Sequence, residues 1–156
     1  MITVTANNMF LSMPIGYFVM VELSDQIREF IEGETFGALA TKTPDGVPHV
    51  TVVWVDYDGE YLRVNTGRER QKVANASLEP NVGIAVIDPT RPYQYVTVQG
   101  EVVEFVEDGA VAHYDELGRR YLNEENLYEK RHADEGQVRI IWHIRPDNIL
   151  TWGFDD

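Results

Sequence analysis

The sequence predicts a mainly β protein whose short antiparallel strands close, wholly or in part, into a barrel. Two observations carry this expectation. Apolar runs of strand length alternate with tight-turn signals such as Pro44-Asp45-Gly46 and Tyr57-Asp58-Gly59, the pattern of a meander. Helical patterns interrupt the meander once and return as a pair before the last strands, and a barrel spares this many short strands their exposed edges.

Each element has a local reason. Ser24 is placed as an N-cap, with Ile27, Phe30 and Ile31 on one face of a short helix ended by Gly33. Strands follow over Phe36 to Thr43 and Val47 to Asp56, split by the Pro44-Asp45-Gly46 turn, and a third runs from Tyr61 to Asn65. The fourth spans Val82 to Asp88, and Pro89-Thr90-Arg91-Pro92 turns the chain into a long fifth strand, Tyr93 to Val106. Gly100 within it marks a bulge or sharp bend. Ala110, Tyr114, Leu117 and Tyr121 recur at helical spacing, and a more polar helix spans Glu124 to Ala133. Gln137 to Ile144 reads as a strand, Arg145-Pro146-Asp147 as a turn, and Asn148 to Gly153 as a last short strand.

The domain is expected over residues 23–156, with residues 1–22 as an added arm to which no role is assigned. The apolar segment Met9 to Val21 is broken by Pro14 and Gly16 and has no basic flank. It therefore fits neither a membrane span nor a signal peptide, and a cytoplasmic location is expected.

Composition excludes several function classes. There is no cysteine, so disulfides, thiolate chemistry and thiolate-bound zinc are out. The histidines, His49, His113, His132 and His143, show no metal-ligand spacing, so no metal site is expected. A formal charge of −13 argues against nucleic acid, which needs a basic face, and against an anionic membrane. Ten arginines stand against only three lysines; surplus carboxylate with scarce lysine suits a halophilic source, where salt screens self-repulsion.

Against this acidic background, Arg68, Arg70 and Lys72 fall within five residues where a strand runs through Thr66-Gly67 into a helix. A helix start offers N–H groups and a favourable dipole to an anion, arginine adds a planar fork and lysine a point charge. Phosphate binding and a solvated basic turn both remain open at this point. No nucleophile, paired carboxylate or His/Asp arrangement stands out, so no catalytic residue is assigned. Asp56 and Asp58 read as turn carboxylates, His49 as a hydrogen-bonded strand histidine rather than a base, and Trp54 and Trp142 as core. Such a chain suits a binding protein, or an enzyme whose cofactor carries the reaction. A barrel this small cannot enclose a large ligand, which puts a cofactor on its outside, in a crevice between subunits.

The run Gly37-Ala38-Leu39-Ala40-Thr41, then Asp45 to Trp54, then Asn65-Thr66, resembles the pyridoxamine 5′-phosphate oxidase-like split β-barrel superfamily. Arg70-x-Lys72-x-x-Asn75 with Pro80-Asn81, and Tyr95 to Glu101, extend the resemblance across Leu23 to Gly153. It implies a homodimer of six-stranded antiparallel split barrels with a flavin or deazaflavin at each end of the interface. The backbone of His49, Val50, Thr51, Val52, Val53 and Trp54 would run along the ring. Asn65 belongs to the same set, Thr66, Arg70 and Lys72 would hold the phosphate, and Asn75 would fix the helix start. Tyr93 or Tyr95 would approach from the same or the other subunit. Gln71 between Arg70 and Lys72, and the absence of a C-terminal Arg-x-His, depart from true pyridoxamine phosphate oxidases. They resemble the branch using coenzyme F420, with an FMN branch close behind. The implied function is hydride transfer between F420 or FMN and a small unsaturated acceptor. The alternative is a non-catalytic flavin or haem carrier, for which His143 is the strand histidine that could be an axial ligand.

Overall fold

The computed structural model describes residues 21–154, so the expected arm over residues 1–22 falls largely outside them. In chain order the elements are α1 (Asp25–Ile31), β1 (Phe36–Lys42), β2 (Pro48–Val53), β3 (Val55–Tyr57), β4 (Leu62–Gly67) and α2 (Gln71–Leu78). There follow β5 (Asn81–Asp88), β6 (Arg91–Val106), α3 (Ala110–Leu122), α4 (Leu127–Arg131), a 3₁₀ turn (Ala133–Glu135) and β7 (Arg139–Trp152). Ser24 caps α1 through its side-chain oxygen, which accepts from the Ile27 N–H, and Ile27, Phe30 and Ile31 are its buried face.

The sheet is antiparallel in the order β2-β1-β5-β6-β7-β4-β3. Its two end strands, β2 and β3, are consecutive in the chain with only Trp54 between them. One run therefore pairs with β1 through its first half and with β4 through its second, and six runs make a mainly β, curled, split-barrel sheet. The Trp54 indole stacks on Tyr121 and Tyr114 of α3, at centroid distances of 5.1 and 5.9 Å, so α3 covers the point where the run changes partner. Inside, Leu39, Val55, Leu62, Val64, Val86, Val96, Trp142 and Ile144 are buried. At about 1.5–3 kcal/mol for each large apolar side chain taken from water, the β4–β7 seam (Val64 opposite Trp142, Leu62 opposite Ile144) holds firmly the strand ends that carry the site.

The predicted bend at Gly100 is present. The β6–β7 register shifts between Gln99 and Gly100, and a Cβ on Gly100 would lie 2.5 Å from the Arg145 carbonyl oxygen. The predicted reversal at Arg145-Pro146-Asp147 is absent: β7 runs through it, with Asp147 the extra residue between the pairs Gly100–Pro146 and Gln99–Asn148. Proline lacks a ladder donor, and a bulge accommodates that without a turn. The predicted helix over Glu124 to Ala133 contracts to α4, because Asn126 at its start has φ of 53°. Among the described residues, no helix is long and apolar enough to cross a membrane.

Candidate anion-binding site

Four elements converge on a cavity of about 390 Å³. Strand alternation turns His49 and Thr51 of β2 into it, Thr66 closes β4 beside it, and the first turn of α2 contributes Arg70, Gln71 and Lys72. Arg139, the first residue of β7, completes the lining because it lies opposite Gly67 in the β4–β7 register.

Its electrostatics are one-sided. Lys72 Nζ donates to Thr51 Oγ1 at 3.0 Å. Burial strips water from the Lys72 ammonium and, with Arg70 and Arg139 nearby, lowers its pKa below the usual lysine value. Burial likewise lowers that of Arg139, with repulsion from Arg70 adding to it. Among the described residues, Arg70, Lys72 and Arg139 make no ion pair, and no carboxylate lines the cavity. The cap residue Arg70 gives α2 no side-chain cap bond, so the Gln71 and Lys72 N–H groups that open this eight-residue helix beside the cavity gain no side-chain acceptor from it. His49 Nδ1 is buried without a hydrogen-bond partner. Unpaired cations, threonine hydroxyls and an orphaned ring nitrogen fit a phosphate group.

Of the residues expected at the site, the fold brings His49, Thr51, Thr66, Arg70 and Lys72 together. Val50 and Val52 point the opposite way, 60% and 74% exposed, while Val53 is buried in the core. Asn65 has its amide engaged elsewhere: Oδ1 accepts from Arg139 Nε at 2.8 Å and Nδ2 donates to the Ala110 carbonyl at 2.7 Å. Asn75 is buried, accepts from Gln71 Nε2 and donates to Thr41 Oγ1 at 3.0 Å, tying the first turn of α2 to β1. Tyr93 is exposed and Tyr95 half-buried opposite Ile87 and Trp152, both outside this lining. His143 also lies outside it, stacked on Tyr61 at 5.1 Å with Nδ1 3.6 Å from Glu104.

The sequence reading missed Arg139 and misjudged Asp56. Asp56 is no turn carboxylate. It is buried in β3, takes both arms of Arg63 at 2.8 and 2.7 Å, and lies 2.9 Å from His113 Nε2. Asn65 Nδ2 is in turn 3.2 Å from His113 Nδ1, so a polar chain runs Arg63–Asp56–His113–Asn65–Arg139. The one signal for Arg139 was a charge opening the otherwise apolar run Ile140-Ile141-Trp142.

The outer sheet face next to the cavity is apolar. Pairing aligns Val52, Ala38, Ala85, Thr97 and Leu150 in one row and Phe36, Ile87, Tyr95 and Trp152 in the next. Small residues keep its middle smooth, while Val50, Val52, Leu150 and Trp152 stand more than half exposed around it.

Comparison with known proteins agrees with this architecture. Residues 23–153 match the family model described as pyridoxamine 5′-phosphate oxidase. A solved F420 reductase is 37% identical over 79% of this chain and 94% of its own, with a TM-score of 0.67. A conserved hypothetical protein from Mycobacterium tuberculosis, Rv2991, is 27% identical, covering 85% of this chain and 86% of that one at a TM-score of 0.66. The haem storage protein HutZ from Vibrio cholerae, 19% identical over 86% of this chain and 97% of its own, shares the fold at a TM-score of 0.63. No curated protein matches the chain significantly.

Proposed function

Because the chain belongs to the pyridoxamine 5′-phosphate oxidase family, we propose that it is an oxidoreductase that uses coenzyme F420 or FMN to pass hydride to a small unsaturated acceptor. The observation that carries this reading is the unpaired cation set of the cavity, which fits the phosphate common to both cofactors. Arg70 and Lys72 grip that phosphate, Thr51 holds the Lys72 ammonium in place, and Thr66 supplies a hydroxyl. The backbone from His49 to Trp54 would run along the tricyclic ring, as the family resemblance implies. The bound cofactor supplies the hydride chemistry, and the protein binds, orients and excludes water. The Arg-x-Lys-x-x-Asn spacing and the 37% identity to an F420 reductase favour F420 over FMN. A haem carrier has less support, since the His143 ring is stacked on Tyr61 and its Nδ1 lies 3.6 Å from Glu104.

The apolar outer face supports a homodimer, in which Tyr93 or Tyr95 would approach the ring or phosphate from the same or the other subunit. An obligate interface of this kind buries more than about 2,000 Å². Val52→Glu puts a charge at the β2 edge of that face and is expected to yield monomers by light scattering; an unchanged dimer would remove this face from the interface.

Calorimetric titrations with the two cofactors test the main reading. F420 is expected to bind more tightly than FMN, and Lys72→Ala to weaken binding at least tenfold, about 1.4 kcal/mol, with little change in melting of the cofactor-free protein. FMN binding more tightly would end the F420 preference, and unchanged affinity in Lys72→Ala would end the phosphate assignment. The absorbance spectrum of the purified protein separates flavin, deazaflavin and haem, and pyridoxamine phosphate is expected to go unoxidised.

A further inference from the structure

We propose that Arg139 is a third cation of the anion site, held ready for the ligand's phosphate by a buried chain running from Asp56 through His113 and Asn65. This deepens the phosphate reading and rests on it.

The guanidinium of Arg139 uses two of its nitrogens on uncharged partners. Nε donates to Asn65 Oδ1 and Nη1 to Gln137 Oε1, each at 2.8 Å, and its central carbon lies over the Tyr114 ring, 4.1 Å from the centroid. Among the described residues Nη2 has no hydrogen-bond partner, and the side chain lines the cavity. A residue only 8% exposed, charged, and bonded to amides rather than a carboxylate is expensive to keep unless an anion completes it.

Its orientation is set from behind. Because Arg139 Nε donates to Asn65 Oδ1, the Asn65 amide must turn its NH₂ toward the Ala110 carbonyl and His113 Nδ1. With Nδ1 accepting, His113 Nε2 carries the proton directed at Asp56 Oδ2. Arg63 in turn holds both Asp56 oxygens. Each donor that links one member of this chain to the next meets an acceptor, so the guanidinium is fixed before the ligand arrives and little ordering cost falls on binding. Gly67 makes room for this: a Cβ there would lie 2.9 Å from the side chain of Gln137, the second amide holding Arg139.

Two tetrahedral anions differing in charge provide the test. Sulfate carries two charges and methyl sulfate one, and Coulomb energy is linear in charge. Calorimetric or competition titrations are run on the full chain and on Arg139→Gln, Arg139→Lys, Asn65→Leu and Lys72→Gln. Loss of a contacting cation should cost sulfate about tenfold or more and methyl sulfate clearly less, so the sulfate-to-methyl-sulfate ratio falls in Arg139→Gln. That ratio is taken within one sample, so partial unfolding cancels from it. Arg139→Lys should recover part of the ratio, and Asn65→Leu should weaken sulfate several-fold although all three cations remain. Equal losses for both anions in Arg139→Gln, or no loss, overturn the proposal. If Lys72→Gln alone weakens sulfate, the phosphate reading stands and the role of Arg139 falls. If the full chain binds neither anion, both fall.

Discussion

Arg63 and Arg139 sit on neighbouring strands, β4 and β7, and are linked by one buried polar chain, yet their surroundings are opposite. Arg63 clamps the Asp56 carboxylate with two hydrogen bonds. Burial disfavours its charge, but Asp56 more than offsets that, and its pKa is raised. Arg139 has only the amides of Asn65 and Gln137 as hydrogen-bond partners and the Tyr114 ring beside it, so burial prevails and its pKa is lowered. A saturated guanidinium belongs to the scaffold, while one surrounded by uncharged donors and acceptors keeps its field for a ligand. The pair teaches that what separates a structural arginine from a binding one is whether a carboxylate answers it.

The largest effect should come from breaking the saturated side. Arg63→Met leaves Asp56 buried against His113 without its main counter-charge and should cost about 3 kcal/mol in urea denaturation, as loss of one partner of a buried pair does. Cofactor affinity should change little. Arg139→Met should show the reverse: about 1 kcal/mol or less of stability, the scale of hydrogen bonds to neutral groups, with a clear loss of anion affinity. Equal stability losses in the two variants would erase the contrast.

A smaller effect follows from acid. Burial pushes the Asp56 carboxyl upward, but hydrogen bonds from His113 and Arg63 outweigh it, and the net pKa lies below the ordinary 3.8. A carboxyl held lower in the folded than in the unfolded state stabilises fully above the unfolded value, and that contribution fades as pH falls through the folded one. Melting temperature should therefore drop more steeply below about pH 4 in the wild-type chain than in Asp56→Asn. Parallel acid limbs would mean that Asp56 is not the carboxylate that the pair protects.

Much of this architecture was legible locally. Alternating apolar runs, the Pro-Asp-Gly and Asp-Gly turns and the Ser24 cap announce strands and a helix that the structure contains, because such signals act over a few residues. The break at Gly100 was legible for the same reason. Arg70, Lys72 and their helix start could be singled out because charge clustering needs no knowledge of contacts. The Pro146 turn misled, since proline punctuation cannot tell a reversal from a bulge inside a long strand.

The sequence by itself thus determined the β character, the turns and the basic stretch at the start of α2. Tertiary structure alone decided that β2 and β3 are one run closing the sheet at Trp54. It alone turned Asp56 inward to His113, 57 residues away, and brought Arg139 to Asn65, 74 residues away. Strand register sets both encounters, and register depends on which strands become neighbours once the sheet curls. A charge's partner at such separation leaves no mark in the residues beside it, so whether an arginine is answered by a carboxylate or left for a ligand is written only in the folded contacts.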